Sequence, residues 1–457
     1  MFALPGICGL VVIVLTRPQE FIPLLAAIPT LYLLCGLAVA GFVIDLRLRR
    51  LQPMAAPTLP WAAAFLGWAV LSAAVVTPDD AIKVSIELTI VFTLYVLLAH
   101  AVQRFRALQV AGGAVLASCL FLTAVGFHQA HAPTQCIVQV GGEGEGIPDG
   151  RPCQLALDCH GPDAEPGQEY RCERAGWFGT SSIEGRIRYR GELQDPNELA
   201  LTISIGGLAI LLAFVLRHPS ARRVIVGGVA LFIVAWTVVL TQSRGGLIVA
   251  MAVPGVYFIR RYGVAGLVAA AMAAAPLALL GGREGESAAQ STKLRYEAWS
   301  SGLDMFLGNP VLGVGPRHFT DHHYMTAHNT FVLTMAELGF VGLFLFSMIL
   351  WVTLKSLFLG VRQLDGVPGA HVARVWGMAL LASMLGMSFQ INTLSMAYHS
   401  VVWIFFGLAA AWTMAVRHHR PDFEVKVGGR DIVGVAFACV MYALVVLPLF
   451  LKLKGER

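Results

Sequence analysis

Thirteen stretches of this chain are apolar for long enough to be read as helices that cross a lipid bilayer. They are residues 2–16, 21–44, 59–76, 82–101, 107–127, 196–216, 223–241, 244–259, 263–280, 328–352, 375–393, 399–416 and 432–451. A hydrocarbon core about 30 Å thick takes roughly 20 apolar residues of helix, so the short first stretch, interrupted by Pro5, is the weakest of them. Each run is continuously apolar and does not alternate, which excludes a transmembrane β-barrel. Only 13% of the residues are Asp, Glu, Lys or Arg, against about 25% in an ordinary soluble protein. Too little charge is present to cover a soluble surface of this size. No basic segment and no small-residue cleavage site precede the first run, so Met1 onward reads as a retained anchor. The expected fold is all-α: a polytopic transmembrane bundle of about 12–13 spans.

Orientation follows from the basic residues, which favour the cytoplasmic side of short loops. Alternate connectors hold 17 of them: Arg47, Arg49, Arg50, Arg104, Arg106, Arg217, Arg222, Arg223, Arg260, Arg261, Lys355, Arg362, Arg374, Arg417, Arg420, Lys426 and Arg430. The short connectors between carry three, Arg17, Lys83 and Arg244. The N-terminus is therefore expected inside. By the same count Lys452 and Lys454 fall outside, against the rule. Two long connectors, 128–195 and 281–327, fall on the outer face, and long loops of this kind usually carry function.

The first outer loop contains Cys136, Cys153, Cys159 and Cys172, whereas Cys8, Cys35, Cys119 and Cys439 lie in apolar runs. Four cysteines in one extracytoplasmic loop read as two disulfides with three possible pairings. A zinc site is the rival, although no Cys-x-x-Cys pair is present to favour it. Residues 136–174, including Gly141 to Gly146, form a Gly-, Pro- and acid-rich insertion. After it, Arg186, Arg188 and Arg190 alternate with apolar residues, as in an extended segment that turns three guanidinium groups to one side. Asp195-Pro196 then has the form of a helix start. The basic stretch serves either a substrate or its lipid and acidic neighbours.

Three further groupings lie on the outer face. Thr241-Gln242-Ser243-Arg244-Gly245-Gly246 places an Arg at a tight turn beside a helix N-terminus, where a guanidinium and backbone donors suit a phosphate. A snorkelling interfacial Arg is the plainer reading. Residues 291–306 read as an amphipathic surface helix with Arg295 and Trp299 on one face. It leads into Pro310-Val311-Leu312-Gly313-Val314-Gly315 and Arg317. That glycine pair lacks the strand context of a nucleotide site. Finally, His328-Asn329 opens a long apolar helix that also carries Glu337. The imidazole suits a general base, and a carboxylate within a span is costly enough to suggest a role. A helix cap at His328 and a packing hydrogen bond at Glu337 are the structural alternatives. His322 and His323 stand nearby and leave a metal site open.

Taken in order, Ser243-Arg244-Gly245-Gly246, Arg295-x3-Trp299, Pro310-x2-Gly313-x-Gly315 and His328-Asn329-x3-Leu333-x3-Glu337-x-Gly339-x2-Gly342 resemble the bacterial O-antigen ligase / O-antigen polymerase superfamily. The specific resemblance spans roughly residues 190–360, and the Cys-bearing insertion departs from the family pattern. It implies an inverting, metal-independent glycan transfer at the periplasmic face of the bacterial inner membrane, with no cofactor. The donor would be a glycan on undecaprenyl diphosphate. The acceptor would be a glycan or lipid A core, with membrane lipid as the surroundings and no nucleic-acid partner. His328 matches the family's essential His. Arg244 matches an Arg near the donor diphosphate, with Arg295 as a second diphosphate ligand. Arg190, Arg317, Asn329 and Glu337 are supporting candidates. The chain then divides into helices over 1–127, a four-Cys periplasmic loop over 128–195, helices over 196–280, a second periplasmic loop over 281–327 and helices over 328–457. The alternatives are a polymerase of the same superfamily and, more distantly, a lipid-linked glycan transporter. For the transporter, Glu87 is the main mid-span charge.

Overall fold

A computed structural model describes residues 1–139, 146–161, 164–165, 167–266, 268, 272 and 286–455. Most of the expected span at 263–280, most of the Gly141–Gly146 run and Arg283 lie outside these residues. The fold is all-α and polytopic. Among the described residues, ten helices are long and apolar enough to cross a membrane, with the shorter Ala3–Thr16 beside them. Helix Arg244–Tyr262 follows the expected eighth stretch. The stretch read as one span at 21–44 is two pieces, Pro23–Ala26 and Thr30–Arg47. Pro29, directly before the second piece, cannot donate the N–H that would continue the first. The span read at 328–352 extends as helix Thr330–Gln363.

The chain forms two compact units. One holds Met1–Leu10, Leu34–Ala111 and Arg283–Arg457. Its core includes Phe65, Phe346, Trp376, Phe405, Phe406 and Trp412, all nearly or fully buried. Lipid tails are as apolar as these side chains, so close packing and satisfied polar groups hold the helices together. Trp412 donates its indole N–H to the Ala373 carbonyl at 2.8 Å. Asp431 takes Lys355 at 2.7 Å and the Trp351 indole at 2.9 Å, joining helix Thr330–Gln363 to helix Gly429–Lys454.

The other unit holds Val11–Leu33 and Gly112–Gly282. Its helices include Pro196–Leu216, with a wider π-type turn over Ile203–Leu208, and Ala221–Leu240. It also carries a small sheet of β1 (Thr134–Gln139), β2 (Gly146–Pro152) and β3 (Tyr170–Arg174), ordered β2-β1-β3 and antiparallel throughout. Cys136–Cys159 and Cys153–Cys172 are disulfides. The disulfide reading of the four loop cysteines holds, and the pairing is now defined. A sheet this small buries little besides those cysteines and Tyr170, so covalent links do the work that a core would do in a larger module.

Candidate functional site

His328 is positioned by its neighbours on both sides. Asn329, not His328, caps helix Thr330–Gln363: its side-chain oxygen accepts from Phe331 N at 2.9 Å and Val332 N at 3.2 Å. His328 therefore stands one residue outside the helix, half-buried, with φ at +45°. A non-glycine residue in that left-handed region is strained and needs its surroundings to hold it there. Trp299 supplies part of that hold by donating its indole N–H to the Ala327 carbonyl at 2.8 Å. Thr326 and Thr330 are tied to Ser395 at 2.8 Å and to the Leu394 carbonyl at 2.6 Å. Arg295 lies one turn before Trp299 on helix Glu286–Gly308 and is half-buried.

Glu337 has a different place from the one its position within a span suggests. Its carboxylate accepts the main-chain N–H of Phe319 at 3.1 Å through Oε1, so it binds the preceding loop, while Oε2 is buried without a hydrogen-bond partner among the described residues. The helix breaks two residues later, at Gly339 (φ +66°, ψ −164°). A break inside a span frees carbonyls that lipid cannot satisfy. Here Val314 N donates to Ala336 O and Gly315 N to Glu337 O, both at 3.0 Å. Trp68 donates its indole N–H to Leu338 O at 2.9 Å, and Phe340 N returns a bond to Pro310 O at 2.8 Å. The Pro310–Gly315 segment is thus laced onto the broken helix. A Cβ on Gly313 would lie 2.3 Å from the Glu337 carbonyl carbon, and one on Gly339 would lie 2.1 Å from Val311 O. These glycines serve a backbone clasp, which no spacing rule in the sequence disclosed.

Arg317, with φ at +66°, forms an ion pair with Glu87 at 3.1 Å and lies 5.7 Å from the Tyr398 ring centre. The mid-span charge at Glu87 thereby has a partner in the same loop. His323 turns its Nδ1 toward the backbone of Met325. Among the described residues, the cluster with metal-like spacing is Cys136, Cys153 and Cys159, which are consumed by the disulfides.

In the other unit, Ser243 caps helix Arg244–Tyr262 by accepting from Gly246 N at 3.0 Å. Gly246 allows close approach of helix Pro196–Leu216, since a Cβ there would lie 2.3 Å from Ala200 Cβ. Arg244 is the first helical residue and is exposed. A cation at the positive end of a helix dipole disfavours the helix, whereas the same arrangement suits an anionic ligand.

The three alternating arginines do not share one exposed face. Arg186 is buried and donates from Nε to Thr241 O at 2.9 Å and from Nη2 to Asn197 Oδ1 at 3.2 Å. Arg188 is buried against Ser181, donating at 3.0 Å to its carbonyl and at 3.3 Å to its hydroxyl. Arg190 donates to the carbonyls of Glu20, at 3.2 Å, and Phe178. The alternation broke down because Ile187 and Tyr189 are buried as well: the segment is surrounded, so side-chain periodicity does not sort it into faces. Arg186 was not singled out as a site residue, yet it holds the turn that leads into Arg244.

Helix content, span number and the capped, glycine-clasped loops define a polytopic helical membrane protein with a disulfide-linked module. Residues 229–347 match the family model described as O-antigen ligase, Wzy_C. That range includes the Ser243–Gly246 turn, Arg295, the Pro310–Gly315 clasp and the His328-Asn329 start, and over it the chain is similar to the O-antigen ligase family. No curated protein matches the chain.

Proposed function

We propose that the protein transfers a glycan from undecaprenyl diphosphate to an acceptor hydroxyl at the periplasmic face of the bacterial inner membrane, as a ligase in lipopolysaccharide biosynthesis. The observation that carries this reading is the held conformation of His328. A strained, half-buried imidazole just outside a helix, fixed from both sides, suits a group that must meet a substrate. His328 takes the acceptor hydroxyl's proton on a ring nitrogen. The acceptor oxygen then bonds to the anomeric carbon from the face opposite the carrier, the bond from that carbon to the diphosphate oxygen breaks, and configuration inverts. Arg244 and Arg295 take up the charge that develops on the leaving diphosphate, so no metal is required. Asn329, Arg317 and Glu337 act by positioning: Asn329 by its cap, Glu337 and Arg317 by fixing the loop before His328.

The disulfides support an oxidising compartment for residues 128–195, in agreement with the count of basic residues. A polymerase of the same superfamily remains the second reading, because it shares the donor and differs in acceptor. A transporter, the more distant reading, would place paired ionisable residues near mid-membrane, and such charge is scarce here, Glu87 with its partner Arg317 being the main example. The deciding experiment is a deletion strain analysed for surface glycan. Long glycan retained on the carrier is the expected result. Single repeat units attached to the lipid A core would mark a polymerase, and unchanged surface glycan would overturn both.

A further inference from the structure

Beside the disulfide module, within its own unit, lies a cavity of about 390 Å³ with polar groups in a largely apolar lining, a size in the range of small-ligand sites. Its walls include Thr180, Ser181, Arg188, Tyr189, Arg190 and Gln194, closed on one side by the start of β2. All of these precede the stretch that matches the O-antigen ligase model. Arg190 is the informative wall residue. Its guanidinium is fixed by two main-chain carbonyls, those of Glu20 and Phe178. Carbonyls hold a cation in place without carrying the opposite formal charge, and among the described residues no carboxylate forms an ion pair with Arg190. The neighbouring carboxylate of Glu20 is engaged by Arg17 at 2.6 Å through Oε1, and its Oε2 has no hydrogen-bond partner among the described residues. Of the five N–H groups on a guanidinium, the two carbonyls account for two. Gln194 adds an amide, half-buried in the same wall, that both donates and accepts.

We propose that this cavity binds a sugar ring carrying an oxyanion, either a carboxylate or a phosphate, with Arg190 meeting the anion and Gln194 meeting a ring hydroxyl. The sugar part rests on the proposed function above, and the oxyanion part rests on Arg190. A merely structural Arg190 would tie the chain to Glu20 and Phe178 equally well beside a filled wall. The cavity, and a guanidinium that no described carboxylate pairs with, are what that role leaves over. Such a site lets the inserted module select or retain acidic glycans independently of the transfer step.

The test uses the purified full-length chain in detergent and titration calorimetry with four probes: methyl glucuronide, glucose 6-phosphate, neutral methyl glucoside and inorganic phosphate. Methyl glucuronide or glucose 6-phosphate should bind at least tenfold more tightly than methyl glucoside. Gln194→Glu, nearly isosteric but negatively charged, should weaken that binding at least tenfold. Arg190→Gln should abolish the preference for charge. Thermal midpoints and intact disulfides report folding of both variants. Tighter binding of the glucuronide assigns a carboxylate, and tighter binding of the sugar phosphate assigns a phosphate. Equal binding of charged and neutral glycosides overturns the proposal. So does charge-selective binding unaltered in both folded variants, or inorganic phosphate binding as tightly as either charged sugar. Binding is read without transfer. A chain that binds in this way yet transfers nothing refutes the proposed function alone, and one that transfers without charge-selective binding refutes this site alone.

Discussion

The surroundings of His328 and of Arg244 are built by opposite means. His328 is held by apolar helices and a backbone clasp: an Asn cap, an indole donated to Ala327 O, and glycines pressed against a broken helix. The turn before Arg244 is held by a buried cation, Arg186, from a loop that follows a disulfide-linked sheet. The first arrangement depends on close contact that tolerates no added atom. The second depends on a charged staple, which moderate changes weaken by degrees. Under the proposed function, the difference implies that damage near His328 acts through loss of the fold or the base, whereas damage near Arg186 acts through donor affinity.

His328→Ala should cut glycan transfer about 10²–10⁴-fold, with normal abundance in membranes. Near wild-type product from an abundant variant would remove the base from the scheme. Arg244→Ala should follow at about 10²–10³-fold, and Arg244→Lys should recover part of the loss because a point charge replaces a fork. Equal activity of all three chains would show that no anion meets this residue. Gly339→Ala should cost roughly 2–5 kcal/mol from a forbidden backbone conformation and a clash, seen as lost abundance or a lowered thermal midpoint. A variant as stable as the parent would mean the clasp is slack. Arg186→Lys gives the smallest effect. Losing one hydrogen bond of about 1 kcal/mol should raise KM for the lipid-linked donor roughly fivefold and leave kcat nearly unchanged. A fall in kcat with KM constant would erase the contrast between the two regions. The cysteines give a check outside this ranking: all four in the loop should resist thiol labelling until reduced.

Much of this was readable from residue order. Helix length and apolarity reveal the spans because lipid imposes one requirement on every segment, and cysteine spacing in one loop reveals the staples. The motif residues around Arg244 and His328 were also visible, since turns and caps are local. Three things were not. The roles of Gly313 and Gly339 depend on a contact between segments about 25 residues apart. Glu337 looks like a site carboxylate until the loop amide it binds, that of Phe319, is placed. Arg186, Arg188 and Arg190 follow a strand-like alternation, yet the segment is enclosed on several sides, so period two sorts nothing. Pro29 was visible as a helix breaker, but the apolar run around it masked the division.

The clasp between Pro310–Gly315 and Gly339 has a consequence for how such chains can vary. Gly313 and Gly339 are each answered by main chain on the other segment, and main chain cannot be exchanged by mutation. A change on one side has no compensating change available on the other. Substitution is therefore costly at these two positions whatever side chains surround them. What makes this protein recognisable by its sequence is then partly a record of two backbones in contact, and less a record of its chemistry.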